Sequence, residues 1–257
     1  MIDSAEGLVL VDMFLFNEFQ GSRAETTRQL ARELTDRLLA RIAARPDIQV
    51  FLLTDPINTV YGGMVSPQLQ KLRAAGAHVT ITDLSRLRDS NALYSAFWRL
   101  FVKPFGSGEG GFLPNPFGDG EVSLRSYLAL ANFKANHRKV VVTDSPAGLV
   151  GLVTSANPHD GSSAHGNVAL QFTGPAVLDL LLAEHGVMRF SGGPHQLLEE
   201  WLETYAPPLS NDSEASDALQ LRIVSEGQVE RAALELIGRA SAIDVAMFYL
   251  ADRDIVD

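Results

Sequence analysis

The sequence predicts an α/β fold in which a mixed, largely parallel β-sheet is flanked by helices. Short apolar runs typical of buried strands alternate with segments of helical periodicity over residues 8–82. Further apolar runs follow between residues 122 and 172. The chain has 257 residues, of which 46% are hydrophobic and 20% charged, so it can bury a sizeable core and is not a disordered or collagen-like chain.

The first half contains the strand–helix alternation. Residues 8–16 form an apolar run that predicts a buried strand. Ser22 and Glu25 have the spacing of a capping box, and leucines recur at helical spacing from Leu30 until Pro46 ends the segment. The next predicted elements are a strand over residues 48–53, a helix over 67–75 and a strand over 77–82.

Residues 92–118 are rich in aromatic side chains, and their second half also contains many glycines and prolines. One interpretation is a loop that packs its own aromatic rings. The other is a lip of an active site that enters a lipid interface, where aromatic side chains are favoured.

The second half is predicted to be richer in strands. These expected elements are strands over residues 122–133, 139–143, 149–153 and 168–172, a turn over 145–148 between two of them, and a helix from Pro175 to about residue 186.

Charge and composition exclude several classes of protein. The net charge of −10 argues against a wide nucleic-acid footprint, which requires a basic face. The absence of cysteine excludes disulfides, thiolate metal sites and a cysteine nucleophile. No apolar run approaches the ~20 residues of a transmembrane helix, and the first residues do not have the pattern of a signal peptide. We therefore expect a cytoplasmic or membrane-associated protein.

Chemistry is concentrated around His137 and Lys139. They are two residues apart on a predicted strand, so their side chains share one face. An ammonium group can neutralise phosphate oxygens while an imidazole attacks phosphorus or protonates a leaving oxygen. The lysine charge also favours the neutral, nucleophilic form of the histidine.

Three more polar residues accompany this pair. Asp144 lies an odd number of residues from both, which directs it to the opposite face and favours a structural role over direct catalysis. Ser155 and Asn157 follow the next predicted strand and could hydrogen-bond a phosphate or orient the histidine.

The pattern His137-x-Lys139-x4-Asp144, followed by Ser155-x-Asn157, resembles the HKD motif of the phospholipase D superfamily. The His-x-Lys-x4-Asp spacing matches fully. Thr154 stands where the family has glycine, and the serine follows a longer hairpin. The resemblance implies a phospholipase D-like lobe in which His137, Lys139 and Asp144 are the catalytic motif and Ser155 and Asn157 bind or orient the phosphate.

The resemblance also implies a mechanism without metal or cofactor. Two HKD motifs face each other, one histidine forms a covalent phosphohistidine, and the other protonates the leaving alcohol. This sequence holds a single His-x-Lys, so we expect the second motif from a further lobe or an identical subunit. Relatives often use an acidic residue to orient the histidine, but the matching residues 165–167 contain none, and Asp160 is a weak candidate. A zinc site at His159 and His165 is disfavoured because thiolates are absent.

The last residues resemble the first ones. Residues 237–250 align with residues 2–15 at an offset of 235, with apolar side chains at matching positions. Chance similarity of two amphipathic segments is the alternative. We predict a lobe over residues 1–190, a linker over 191–218, and the beginning of a second, truncated lobe over 219–257.

The favoured function is therefore a phosphodiesterase or phosphatidyltransferase that acts on phospholipids and touches the membrane peripherally. The alternatives are a nuclease of the same superfamily, although nucleic acid is disfavoured by charge, and a non-catalytic lobe that binds a partner with its own HKD motif.

Overall fold

A mixed sheet of six strands forms the centre of the protein. The computed structural model describes residues 1–20, 28–205, 221–245 and 255. The chain divides into two units, Met1–Leu209 and Ser210–Asp257. The strands are β1 (Leu8–Met13), β2 (Gln49–Thr54), β3 (His78–Ile81), β4 (Leu113–Pro114), β5 (Glu121–Val122), β6 (Lys139–Thr143), β7 (Val150–Thr154) and β8 (Ala169–Thr173). The helices are α1 (Leu30–Ala44), α2 (Pro67–Ala74), α3 (Ala92–Phe101), α4 (Leu124–Leu130), α5 (Ala176–Phe190), α6 (His195–Tyr205) and α7 (Gly227–Arg239).

The strand order is β3-β2-β1-β6-β7-β8, and β4 and β5 form a separate two-stranded hairpin. The predicted α/β fold with a mixed sheet is confirmed, but the sheet is not largely parallel. The β1–β2 and β2–β3 pairs are parallel, whereas β1–β6, β6–β7 and β7–β8 are antiparallel. The short connection between β6 and β7 accounts for their antiparallel pairing, because a tight turn can join only antiparallel strands.

Strand β1 is buried along its whole length, as expected for a central strand. Val9 and Val11 pack in a core with Leu38 of α1 and with Leu69 and Leu72 of α2. Residues 8, 10 and 12 point to the opposite face, where α5 buries Glu184. The second face is also largely apolar, with Leu8, Leu10 and Leu181 fully buried, but it contains the buried carboxyl groups of Asp12 and Glu184.

Three predicted elements need correction. Residues 124–130 form helix α4 and not a strand, consistent with the helix preference of leucine, arginine and alanine. The first part of the aromatic segment is helix α3 and not a loop. Residues 195–205, within the predicted linker, form α6, which buries Leu198 and Trp201.

Other predictions fall outside the described residues. The capping box at Ser22 and Glu25 and the linker residues 206–218 are among them. In the second unit, α7 is described, but the proposed repeat extends into residues 246–250, which are not, so the second lobe stays a prediction. Within the described part of the chain, every helix is too short or too polar to cross a membrane.

Candidate active site

His137 and Lys139 lie together where β6 begins beside the end of β1. His137 is exposed, whereas Lys139 is 7% exposed. The Lys139 Nζ atom is 3.3 Å from Nδ1 and 3.4 Å from Nε2 of His137, and it donates to the His137 carbonyl oxygen at 2.9 Å. The structure thus brings these two side chains together on one face, as their spacing predicts.

Phe14, which follows β1, packs against both side chains. Its ring centroid is 4.6 Å from that of His137, and the Lys139 Nζ atom is 5.2 Å from the Phe14 centroid. Its amide donates to the Arg138 carbonyl oxygen at 2.9 Å, which extends the β1–β6 pairing to the site. Phe14 was not predicted as a site residue, although an aromatic residue at the end of the first apolar run was the available signal.

Burial and nearby charges shift the pKa values of both side chains. Burial lowers the pKa of His137, and the nearby Lys139 charge lowers it further. Burial lowers the pKa of Lys139 to about 8, although the Asp12 carboxylate acts in the opposite direction. Near neutral pH the pair therefore consists of a neutral imidazole beside an ammonium group, which suits nucleophilic attack on a phosphate.

Asp144 lies at the other end of β6, about 17 Å along the strand from Lys139 at ~3.4 Å per residue. Its carboxylate accepts hydrogen bonds from the amides of Glu6, Gly7 and Leu8 at 2.9, 2.7 and 2.9 Å. The structure does not bring Asp144 to His137, and its contacts are those of an anchor for the start of β1.

Ser155 and Asn157 hold the loop after β7. The Ser155 hydroxyl donates to the Asn167 side-chain oxygen at 2.9 Å and accepts from the Val168 amide at 3.0 Å. The Asn157 side-chain oxygen accepts from the Leu15 amide at 3.1 Å, which fastens this loop beside Phe14. Among the described residues, neither side chain hydrogen-bonds His137, so their predicted roles toward a phosphate remain predictions.

Asp160, the weak candidate for an orienting acid, hydrogen-bonds the start of helix α1. It is buried, and its carboxylate accepts from the Ala31 amide in the first turn of α1 at 3.1 Å. It therefore caps that helix from a distance of 129 residues along the chain. The neighbouring His159 bonds the Ser162 hydroxyl through Nδ1 at 2.7 Å. In the described part of the chain, no three His, Asp or Glu side chains are grouped to hold a metal ion.

A buried polar network that the sequence did not predict supports the residues on either side of His137. The Asn136 side-chain nitrogen donates to the two carboxylate oxygens of Asp12 at 3.0 and 2.9 Å, and it lies 3.0 Å from the Thr82 hydroxyl. The Asn136 amide donates to Asp55 at 2.7 Å. Asp12 and Asp55 are fully buried, and burial raises the pKa of Asp55 to about 7.

Glu184 of α5 extends this network behind Asp12. Burial raises its pKa well above the usual value, and the neighbouring Asp12 carboxylate raises it further. Its Oε2 atom is buried without a donor facing it in the described residues. A proton retained on Glu184 lets this carboxyl group donate to Asp12, and Arg138 lies 3.3 Å from its other oxygen. The side chains of Asn136 and Arg138 are thus both held by buried carboxyl groups, those of Asp12 and Glu184. Carboxylates within apolar runs were the sequence signal for this network.

Comparisons with known proteins find similarity among solved structures. No family model matches the chain, and no curated protein matches it. Among solved structures, the chain is similar to a phospholipase D family member, Nuc from Salmonella typhimurium. The two share 14% sequence identity over 75% of this chain and 83% of that chain, with a TM-score of 0.37. This likeness is too weak to assign a family, so the functional assignment rests on the chain's own residues.

A cavity of about 440 Å³ opens beside the network at the carboxyl ends of β2 and β3. Pro56, Thr82 and Trp98 line it, and His137 does not. Lys134 is buried in its wall. Its ammonium group donates to the carbonyl oxygens of Leu84 and Leu87 and pairs with Asp89, so its charge is already neutralised.

Proposed function

We propose that this chain supplies half of a phosphodiesterase or phosphatidyltransferase site of the phospholipase D type, which acts on phospholipids. The observation that carries the proposal is the contact of the Lys139 ammonium group with both ring nitrogens of an exposed His137. A phosphate that approaches the imidazole meets this buried positive charge at once. The resemblance of the motif to the HKD family and the lowered pKa of His137 support the same role.

His137 is the nucleophile in this proposal. A neutral ring nitrogen attacks phosphorus, an N–P bond forms, and the P–O bond to the headgroup alcohol breaks. The leaving oxygen takes a proton from a second histidine, which then removes a proton from water or from an acceptor alcohol. That molecule attacks the phosphohistidine, breaks the N–P bond and frees His137. Lys139 neutralises the non-bridging oxygens throughout.

The second histidine must come from another HKD motif. The other five histidines of this sequence lack lysine two residues later. As the motif resemblance implies, a second lobe or a second copy of the chain would face His137. The alternative is a lobe that binds such a partner and does not catalyse, in which case His137 and Lys139 would take part in no reaction.

Two properties favour phospholipid over nucleic acid. The net charge of −10 opposes a polyanion that must be contacted along its length. Large aromatic side chains are exposed on and after α3, among them Phe97, Phe101 and Phe105. Such side chains are favoured at a lipid interface.

The test uses the full natural protein and phosphatidylcholine vesicles. We expect release of choline in the presence of a chelator, an acid-labile phosphoprotein intermediate, and loss of both in His137→Ala. His195→Ala, a histidine of α6, is the matched control and retains activity. Full choline release by His137→Ala would overturn the assignment of the nucleophile. Nicking of plasmid DNA without choline release would identify a nuclease instead, and no reaction on either substrate would leave a binding lobe.

A further inference from the structure

Helix α3 exposes a continuous apolar face. Leu93, Phe97, Leu100 and Phe101 are spaced at i, i+4, i+7 and i+8, so they lie on one side of the helix. Their exposed fractions are 88%, 51%, 70% and 61%. Phe105 continues this surface beyond the helix and is 71% exposed. A cluster of five large apolar side chains is more than the scattered exposure of an ordinary surface.

Other side chains of α3 fix the helix to the protein. The Tyr94 hydroxyl donates to the Leu128 carbonyl oxygen of α4 at 2.7 Å, and Ser95 is buried. Arg99 makes two hydrogen bonds of 2.8 Å with the Asp89 carboxylate. The exposed apolar face is therefore presented by an anchored helix.

The surroundings of this face are basic although the chain is acidic. Residues 83–105 contain the four cations Arg86, Arg88, Arg99 and Lys103 and the two acids Asp83 and Asp89, so their net charge is 4 − 2 = +2, against −10 for the whole chain. Asp83 pairs with Arg86 and Lys103, and Asp89 pairs with Arg99. Arg125 lies next to them and donates to the Phe105 carbonyl oxygen at 3.0 Å. An apolar face with flanking cations is complementary to an anionic lipid surface, where apolar side chains enter the interface and cations meet phosphates.

We propose that α3 and Phe105 form a docking surface for anionic phospholipid bilayers. The choice of a membrane as the partner rests on the proposed phospholipid substrate, and the local positive charge supports it independently. Leu93, Phe97, Leu100, Phe101 and Phe105 enter the interface. The flanking cations contact the lipid phosphates and hold the helix at the headgroup level. The bilayer alone covers the apolar face.

The test measures co-sedimentation of the full natural protein with vesicles of phosphatidylcholine, with and without phosphatidylglycerol. We expect tighter binding when phosphatidylglycerol is present and weaker binding as salt rises. Removal of two exposed apolar side chains in Leu100→Ser/Phe101→Ser should weaken binding by about tenfold or more. Leu182→Ser removes an exposed leucine of α5 and should bind like the wild type. Thermal unfolding of all variants checks that they are folded.

Several results would overturn the docking surface. One is equal vesicle binding by the wild type and the double variant. Another is self-association of the wild type that the double variant abolishes, with no vesicle binding, because the face would then be an interface between copies. His137→Ala should bind vesicles normally, so docking and catalysis can be separated. Binding without phospholipid cleavage would refute the proposed function alone, and cleavage of a soluble short-chain phospholipid without vesicle binding would refute the docking surface alone.

Discussion

The side-chain nitrogen of Asn136 donates to both carboxylate oxygens of Asp12, at 3.0 and 2.9 Å. Asn136 immediately precedes His137, so this buried contact fixes the backbone from which the proposed nucleophile extends. Asp12 belongs to the central strand β1, which pairs with β2 on one side and with β6 on the other. Buried hydrogen bonds therefore hold the residue that precedes the exposed His137. Asn136 is a positioning residue in the proposed reaction.

Asn136→Ala should lower the free energy of unfolding by about 2–3 kcal/mol, because it leaves a buried carboxylate with fewer donors. Asn132→Ala is a matched control, since Asn132 is also buried but donates to the neutral carbonyl oxygens of Leu128 and Ala129, and its loss should cost about 1 kcal/mol. Urea unfolding measures both. A faster reaction of His137 with diethylpyrocarbonate only in Asn136→Ala would show the positioning effect, and equal rates would contradict it.

Asp144→Ala should destabilise the fold and leave the chemistry of His137 intact. The substitution removes the acceptor for the amides of Glu6, Gly7 and Leu8, which should cost about 2–3 kcal/mol. Asp144→Asn keeps one oxygen and should lose less. Denaturant unfolding and the activity per folded molecule are the measurements. A large loss of turnover at unchanged stability would instead place Asp144 in the reaction.

Local spacing predicted the placement of His137 and Lys139, whose roles in catalysis stay predictions. The two-residue period of a strand placed His137 and Lys139 on one face and sent Asp144 elsewhere. The apolar runs located β1, β2, β6, β7 and β8 to within a few residues. These features depend on neighbours in the sequence, which is why they could be predicted from one chain.

The buried network could not be predicted because its partners are distant in sequence. Asn136 and Asp12 are 124 residues apart, and α5 brings Glu184 to them from yet another part of the chain. Apolar periodicity shows which face is buried but not which polar groups meet there. Helix α4 was wrongly predicted as a strand for the same reason. Its short apolar run is compatible with a strand or a helix, and contacts with distant residues determine which one forms.

The rate of phosphodiester cleavage should depend on pH in a bell shape. The acidic limb reflects His137, whose lowered pKa places it below about 6.5, because only the neutral ring attacks. The alkaline limb has two contributions, because the second histidine must hold the proton that it gives to the leaving oxygen, and Lys139, whose pKa is about 8, must hold its positive charge. Lys139→Arg keeps the positive charge, so the Lys139 contribution should disappear and leave an alkaline limb with a single ionisation. The measurement is kcat/KM against pH for both proteins, and an unchanged alkaline limb in Lys139→Arg would assign it to another group.

Glu184→Gln should make the protein more stable relative to the wild type as pH rises. The folded state holds the Glu184 proton because burial raises its pKa, whereas the unfolded chain releases it near the usual value of 4.5. The unfolded state therefore binds fewer protons above about pH 4.5, and the wild type loses stability as pH increases through this window until the folded carboxyl group also ionises. Glutamine cannot ionise, and its amide can still donate to Asp12.

The matched control is Glu200→Gln, which changes an exposed glutamate of α6. Its stability should follow the wild-type pH curve, because its carboxyl group is in solvent in the folded protein. Urea unfolding between pH 5 and pH 8 compares the three proteins. A Glu184→Gln curve parallel to that of the wild type would show that Glu184 ionises alike in both states. The proton retained on Glu184, and with it the neutral carboxyl donor to Asp12, would then have to be abandoned.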